Sequence, residues 1–255
     1  MNDDFGAVLA QMQEGFLDEL PERCNRLEDR VMALERGEPG AYDELYRQVH
    51  SLKGSGGTFG VSVVTTICHQ FESFISEAHK RFDAQAFSAA LGYVDLLRKT
   101  SEEHGREDAA LAAIEEALER LRSASLAGRA SVLLVEPSAT MRKFFHGILS
   151  VQPIHLVTLD SSLVALERLL HEPFDLMIAS RELPDLNALA LVAAIRLSES
   201  RNSDIPVIVV SSNLGSIPEH LRINAVVLRD TKLAAMIARH SEDLLARKRG
   251  QAGRK

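Results

Sequence analysis

The chain has 255 residues, 45% hydrophobic and 25% charged, with a formal net charge of −7, two cysteines and no Trp. This composition is that of a globular protein and excludes fibrous, disordered and disulfide-stapled classes, and the length suffices for two domains with separate cores. The longest apolar run, Ala188 to Ile195, has eight residues, far below the ~18 that a membrane-spanning helix needs.

Up to about Ser125 the pattern is helical. Val8, Met12, Phe16 and Leu20 form one apolar stripe; Leu27, Val31 and Leu34 form a second that ends at "RGEPG". "AYDELYRQVHSLK" opens a third. Val64, Ile67, Phe71, Phe74 and Ala78 mark a fourth, Phe87, Leu91, Val94 and Leu97 a fifth, and Leu111, Ile114, Leu118 and Leu121 a sixth. Spacings of three and four predict amphipathic helices, and their short connections predict an antiparallel bundle. Cys24 and Cys68 lack zinc spacing and are expected to pack in the core.

"SASLAGR" (123–129) reads as a linker, with the boundary at residues 126–130. The pattern then changes. "SVLLV" (131–135), "IHLVTL" (154–159), "FDLMIA" (174–179), "IPVIVV" (205–210) and "AVVL" (225–228) are short, often β-branched runs with helical stretches between them. Strand and helix alternate five times, which predicts a doubly wound parallel five-stranded sheet over residues 131–247. Residues 248–255 form a basic tail, expected to be a frayed, solvated terminus with no role in nucleic-acid binding. Charge divides with the pattern. Residues 1–126 hold 23 acidic and 13 basic side chains, a net of −10; residues 127–255 hold 13 and 16, a net of +3.

One stretch breaks its local rule. "HSLKGSGGTFG" (50–60) places four glycines in a helical region, although glycine costs about 1 kcal/mol relative to alanine there. On a helix Leu45, Val49, Leu52, Gly56 and Phe59 share the core stripe. His50, Lys53, Gly54 and Gly57 share a neighbouring, outward face. A neutral imidazole is a competent nucleophile near neutral pH. A nearby ammonium stabilises charge on phosphoryl oxygens, and missing side chains admit another protein's active site. Lys53 is expected to be exposed, as are His69 and His79.

This stretch resembles, at every defined position, the signature of histidine phosphotransfer (Hpt) domains, His-x-(Leu/Phe/Ile)-Lys-Gly-(Ser/Ala/Gly)-x-x-x-hydrophobic-Gly. "GTFG" makes it similar to the phosphotransfer domain of chemotaxis kinases, and "ICHQFESF" resembles the family's next helix. The resemblance covers most of residues 1–125. It implies His50 as phosphoacceptor, Lys53 as electrostatic partner, Gly54 as the clearance residue and Glu72 as a support for the histidine.

The second half resembles a response-regulator receiver over its whole length, through "SVLLVEPSATMRKFFHGIL", "FDLMIASRELPDLNALALVAAIR", "IPVIVVSS" and "AVVLRD". Receivers hold Mg²⁺ with an acidic pair and an acceptor aspartate, since the ion demands oxygen ligands. Here the pair is Glu136-Pro137, the acceptor position carries Ser180, the Ser/Thr position is Ser211 and the lysine position is Arg229. The resemblance therefore implies a pseudoreceiver; Asp175 and Asp185 are the alternative acceptors. A third reading, a Rossmann nucleotide unit, is disfavoured by the lack of any Gly-x-Gly-x-x-Gly.

Together these readings predict a phosphorelay protein that carries phosphate on His50 and is not itself an enzyme. Its donors and acceptors are the receiver domain of a response regulator or hybrid kinase, or a histidine kinase. No cofactor is expected on this chain; Mg²⁺ belongs to the partner receiver. The opening residues are acidic and lack the basic region of a secretory signal, which with the two cysteines gives the expectation of a cytoplasmic protein. The rival reading is a signalling scaffold without phosphotransfer.

Overall fold

The computed structural model describes residues 2–78, 82–103, 108–213 and 215–252. The chain divides into two compact units, Met1–Ala127 and Gly128–Lys255. Among the described residues the first unit is all helical: α1 (Asn2–Glu35), α2 (Ala41–Thr58), α3 (Ser62–Ala78), α4 (Ala84–Glu103) and α5 (Asp108–Ser125). α1 packs on α2 and α4, α2 on α3, α3 on α4, and α5 on α4 and α3. The core is formed by Leu20, Leu27, Leu45, Val49, Ile67, Phe71, Ile75, Tyr93 and Leu97 among others.

The first two predicted helices are one helix of 34 residues with Pro21 inside it. Proline cannot donate to the carbonyl four residues back. That carbonyl belongs to Leu17, and Ser101 Oγ of α4 donates to it at 3.0 Å. A tertiary hydrogen bond thus replaces the missing helical one, and the two stripes join through Cys24. Val8 and Met12, expected on the buried stripe, are instead 52% and 48% exposed. Gln13 Nε2 donates to Gly60 O at 3.5 Å and Phe16 stacks on Phe59, so the first turns of α1 run past the end of α2. Cys24 and Cys68 are both fully buried, free thiols. Burial pushes Cys24 up to about 11 and Cys68 well above the ordinary thiol value, so both stay protonated and act as packing groups.

The second unit is a five-stranded parallel sheet in the order β2-β1-β3-β4-β5. The strands are β1 (Ala130–Val135), β2 (Ile154–Leu159), β3 (Leu176–Ser180), β4 (Val207–Ser211) and β5 (Ala225–Leu228). β1, β3 and β4 are buried along their whole length, as expected of strands covered on both faces. Helices α6 (Ala139–Leu149) and α9 (Leu233–Ala252) cover one face over Val132, Leu134, Ile178, Ile208 and Val210. Helices α7 (Ser162–His171) and α8 (Ala188–Arg196) cover the other over Leu133, Val135, Met177 and Val209.

Two expectations are corrected here. The β4–β5 connection holds, among its described residues, one 3₁₀ turn (Glu219–Leu221) instead of a helix. Asn213 Oδ1 accepts from Gly215 N at 3.1 Å, Pro218 lacks a donor, and Arg222 takes a left-handed conformation; each opposes helix propagation. Arg196 ties this segment to the loop before β4 by donating to the carbonyl of Leu221 at 3.0 Å and to those of Ser203 and Ile205 at 2.8 Å. The basic tail expected from residue 248 is, as far as Ala252, the last part of α9. Lys248 Nζ donates to Phe174 O at 2.8 Å and pairs with Asp175 at 3.0 Å, which anchors the helix past the predicted boundary.

Candidate functional site

The first site lies on α2 and α3. Leu45, Val49, Leu52 and Gly56 are buried, so the next face of α2 presents His50, whose side chain is 63% exposed. From α3, Glu72 meets it. His50 Nδ1 lies 2.7 Å from Glu72 Oε1, and Lys53 Nζ lies 2.6 Å from Glu72 Oε2. Glu72, whose side chain is 10% exposed, is therefore a bridge between the two rather than a solvated helix residue. Lys53 is only 18% exposed. The expectation that it is an exposed side chain is wrong, because the buried carboxylate draws its ammonium inward. His69 is buried, contrary to its expected surface position; His79 lies outside the described residues.

Burial by itself would raise the Glu72 carboxyl. Hydrogen bonds from Lys53 and His50, the Lys53 charge and a hydrogen bond from Tyr46 outweigh it and hold the group below the ordinary carboxylate range. A depressed carboxyl stabilises the folded bundle above the ordinary range and ceases to do so as pH falls through its lowered value. An ionised carboxylate only accepts hydrogen bonds. A neutral His50 must then carry its proton on Nδ1, which leaves the Nε2 lone pair free at the exposed edge of the ring.

The four glycines serve different ends. A methyl group on Gly56 would come within 2.9 Å of Thr65 Oγ1 and 3.1 Å of Thr65 N, so this glycine permits the close approach of α2 and α3. Gly60, at φ +72°, closes the helix: Val61 N donates to Gly56 O and Gly60 N to Gly57 O, a Schellman motif. A methyl on Gly54 would meet no heavy atom within 4 Å, so nothing in this unit requires glycine there. Gly56→Ala is expected to destabilise the bundle by about 1–3 kcal/mol through overpacking, whereas Gly54→Ala, in open helix, is expected to be neutral or up to ~1 kcal/mol stabilising. Urea denaturation of the two variants checks the contrast, and equal costs would contradict it.

The second site lies at the carboxyl ends of the strands, where the order reverses between β1 and β3. Ligands bind there in open α/β sheets. The parallel register aligns Val135 with Ala179, Ser180 with Val210 and Ser211 with Leu228, so Glu136, Ser180, Ser211 and Arg229 stand at that edge. The position of Arg229 is set by its N–H, which donates to Ser211 O at 3.0 Å. Glu136 is 1% exposed. Its Oε1 accepts from Ser138 N at 2.9 Å; its Oε2 accepts from Ser180 Oγ and from Arg229 Nη2, the latter at 2.9 Å. Arg229 Nη2 also donates to Ser180 Oγ at 2.7 Å.

Arg142 fastens the loop before α6 by donating to the carbonyls of Glu136 and Pro137 at 2.9 and 2.8 Å. Asp185 caps α7, accepting from Ser161 Oγ and from the N–H groups of Leu163, Ser162 and Leu186. These bonds hold its carboxyl well below the usual range. Asp175 sits at the start of β3, bound to Ser131 N and Lys248.

The residues of this edge do not fit Mg²⁺. Both oxygens of Glu136 are engaged, Pro137 offers no side-chain ligand, Ser180 supplies a hydroxyl, and the Arg229 guanidinium already provides the positive charge. No group of three or more His, Cys, Asp or Glu side chains capable of holding a metal occurs among the described residues.

Sequence reasoning missed Tyr46 and Arg142. Tyr46 lies one helical turn before His50, a spacing that brings side chains together; Arg142 carries no local signal, because its acceptors are backbone carbonyls.

The helical bundle followed by a sheet of order 2-1-3-4-5 is the fold expected of an Hpt domain followed by a receiver-like domain. Residues 11–124 match the Hpt domain family; the first unit is an Hpt domain. Among solved structures, the second half is similar to the receiver domain of a sensor histidine kinase from Pseudomonas aeruginosa (18% identity, 46% of this chain and 98% of that one, TM-score 0.42). It is also similar to a signal receiver domain from Vibrio parahaemolyticus (18%, 49% and 95%, 0.43) and to one from Syntrophus aciditrophicus (22%, 46% and 90%, 0.39). The class of the second unit rests on its own strand order. No described helix is long and apolar enough to cross a membrane.

Proposed function

We propose that this chain accepts and passes a phosphoryl group on His50 in the cytoplasm, and that its second unit is a non-phosphorylatable pseudoreceiver that acts by docking. The observation that carries the first part is the Glu72 bridge. It binds His50 Nδ1, which leaves Nε2 as the nucleophilic nitrogen, and the same carboxylate holds the Lys53 ammonium. In the transfer, the Nε2 lone pair forms a bond to phosphorus as the P–O bond of the partner's aspartyl phosphate breaks, and the electrons of that bond return to the aspartate carboxylate. Glu72 offsets the positive charge that develops on the ring, and Lys53 offsets the negative charge of the phosphoryl oxygens. The partner is the receiver of a response regulator or hybrid kinase, or a histidine kinase, and a partner receiver supplies the Mg²⁺. The open surface at Gly54 supports this reading, since it leaves room for an incoming active site.

The second part rests on the Glu136–Ser180–Arg229 cluster. With the carboxylate occupied and a fixed cation in the metal's place, the unit lacks both an acceptor and a phosphorylation switch. A ligand shifts only states that it binds differently; this unit's conformation is then set by its sequence or a partner. Incubation of the chain with a phosphorylated receiver is expected to give acid-labile, base-stable label, and the absence of label would count against the carrier role. Titration of the chain with beryllofluoride and Mg²⁺ is expected to leave the amide spectrum of residues 128–255 unchanged. Saturable shifts around Ser180 would sink the pseudoreceiver reading.

A further inference from the structure

The first unit holds a cavity that the phosphotransfer reading does not use. It lies between α1 and α2, has a volume of about 210 Å³ and is lined by Arg23, Arg26, Leu27, Gln48, Ser51 and Leu52. Pockets for drug-sized ligands begin at ~300 Å³, so this size suits a small anion or a single side chain. Leu27 and Leu52 are buried and give the cavity an apolar floor.

The lining carries two guanidinium groups and, among the described residues, no carboxylate. Each arginine gives one terminal nitrogen to the glutamate one turn before it: Arg23 Nη2 to Glu19 and Arg26 Nη1 to Glu22, both at 2.9 Å. Those glutamates are mostly exposed, and exposed pairs of this kind are weak. A guanidinium has five N–H donors, so both arginines keep donors to spare. Arg23 Nε is buried and has no hydrogen-bond partner. A buried donor without an acceptor is costly, and an oxyanion bound at Arg23 would supply the acceptor.

The cavity's place identifies the occupant. Ser51 follows His50 and so stands about 100° round α2 from it, whereas Lys53 and Glu72 meet on the α3 side. α1 packs on α2, and packed helix axes lie about 8–10 Å apart. A standard protein interface covers ~800 Å² per partner, a disc about 16 Å in radius. A protein that docks over His50 therefore covers the cavity as well. Charge decides which of its groups enters. Residues 1–126 have a net charge of −10, and a receiver that holds Mg²⁺ does so with carboxylates. Two such surfaces repel unless local cations meet the partner's acids. Lys53 is already held by Glu72, which leaves the two arginines, whose planar forks match a carboxylate.

We propose that the Arg23–Arg26 cavity is an anchoring site for an acidic side chain, Asp or Glu, of the receiver that docks over His50. The inference rests on the carrier reading of His50 and names a second point of contact with its partner.

The test uses the full chain and begins without a receiver. Sodium acetate stands in for the side-chain carboxylate, and the Nε–H resonances of Arg23 and Arg26 are followed by ¹⁵N NMR at fixed pH. Acetate is expected to move both saturably, and sodium chloride at equal ionic strength is expected to move neither. A drift shared with chloride overturns the proposal, as does a response to inorganic phosphate without one to acetate. The second arm measures labelling by a phosphorylated receiver. Arg26→Gln comes first, because this side chain is 55% exposed and its loss spares the core. KM for the receiver is expected to rise about tenfold, the worth of one charged hydrogen bond, with helicity unchanged. Arg26→Lys, which keeps the charge but not the fork, is expected to recover part of the loss. An unchanged KM in both Arg26→Gln and Arg23→Gln overturns the proposal, as does a loss that falls on the saturated rate alone. A wild-type chain that answers acetate but takes up no label would support the carboxylate site and remove the carrier reading instead.

Discussion

His50→Gln is expected to reduce labelling by a phosphorylated receiver to background while the helical content stays unchanged. Glutamine lacks a nucleophilic nitrogen, since its amide lone pair is delocalised. Its N–H can still reach toward Glu72, so the cost to the fold is expected to be about 1 kcal/mol, the worth of a typical hydrogen bond. On the pseudoreceiver proposal the second unit is not expected to substitute: Ser180 is buried against Glu136, and Asp185 is committed to the start of α7. Label that persisted in His50→Gln would contradict the assignment directly. Lys53→Ala behaves differently. It leaves a nearly buried carboxylate without its ammonium, so it is expected to lower stability by about 1–3 kcal/mol as well as slow transfer. Its thermal unfolding and its transfer rate must both change.

Arg229→Ala is expected to have the largest effect on stability in the second unit, a loss of about 3 kcal/mol. Removing one partner of a buried pair strands the other charge in a medium that solvates it poorly. Glu136 is 1% exposed, against 25% for the Arg229 side chain, so the carboxylate bears the loss. Hydrogen exchange of the β1 and β3 amides in the full chain measures it, because Glu136 follows β1 and Ser180 ends β3. Glu136→Gln combined with Arg229→Met removes both charges and is expected to restore most of the protection. Unchanged exchange in Arg229→Ala would mean that the guanidinium is not what neutralises Glu136. Ser180→Asp, which restores the receiver acceptor, would place a second carboxylate beside Glu136 with one guanidinium for both. By the same argument it is expected to be destabilising unless a metal joins it.

Periodicity alone carried much of the fold. β2 and β5 have the bounds their apolar runs predict, β1 differs by one residue at its start, and β3 and β4 differ by two residues at the start and one at the end. Alternating strands and helices imply a parallel sheet because only a crossover helix can return the chain to the same edge. The His50 signature was legible because its residues lie within eleven positions on one helix, where spacing and contact are the same thing.

What escaped the sequence depends on groups far apart in the chain. The two apolar stripes on either side of Pro21 looked like separate helices; Ser101, 80 positions later, supplies the donor that proline lacks. Lys53 looked exposed because its position on α2 does not reveal the buried carboxylate that α3 brings to it. The β4–β5 segment looked able to hold a helix. Side-chain and proline effects in the segment stop it, and Arg196 from α8 secures the open conformation that replaces it through the Leu221 and Arg222 carbonyls.

By itself the sequence determined a helical bundle before a doubly wound sheet, the histidine on its outward face, and the loss of a receiver's carboxylates at Pro137 and Ser180. Those features follow from residue type and short-range spacing. Only the tertiary structure decided that Glu72 joins His50 to Lys53 and that Arg229 neutralises Glu136 at the edge of the sheet. Each of these is an electrostatic or hydrogen-bonding contact between separate elements. Its strength depends on burial, and burial exists only once helices and strands have packed.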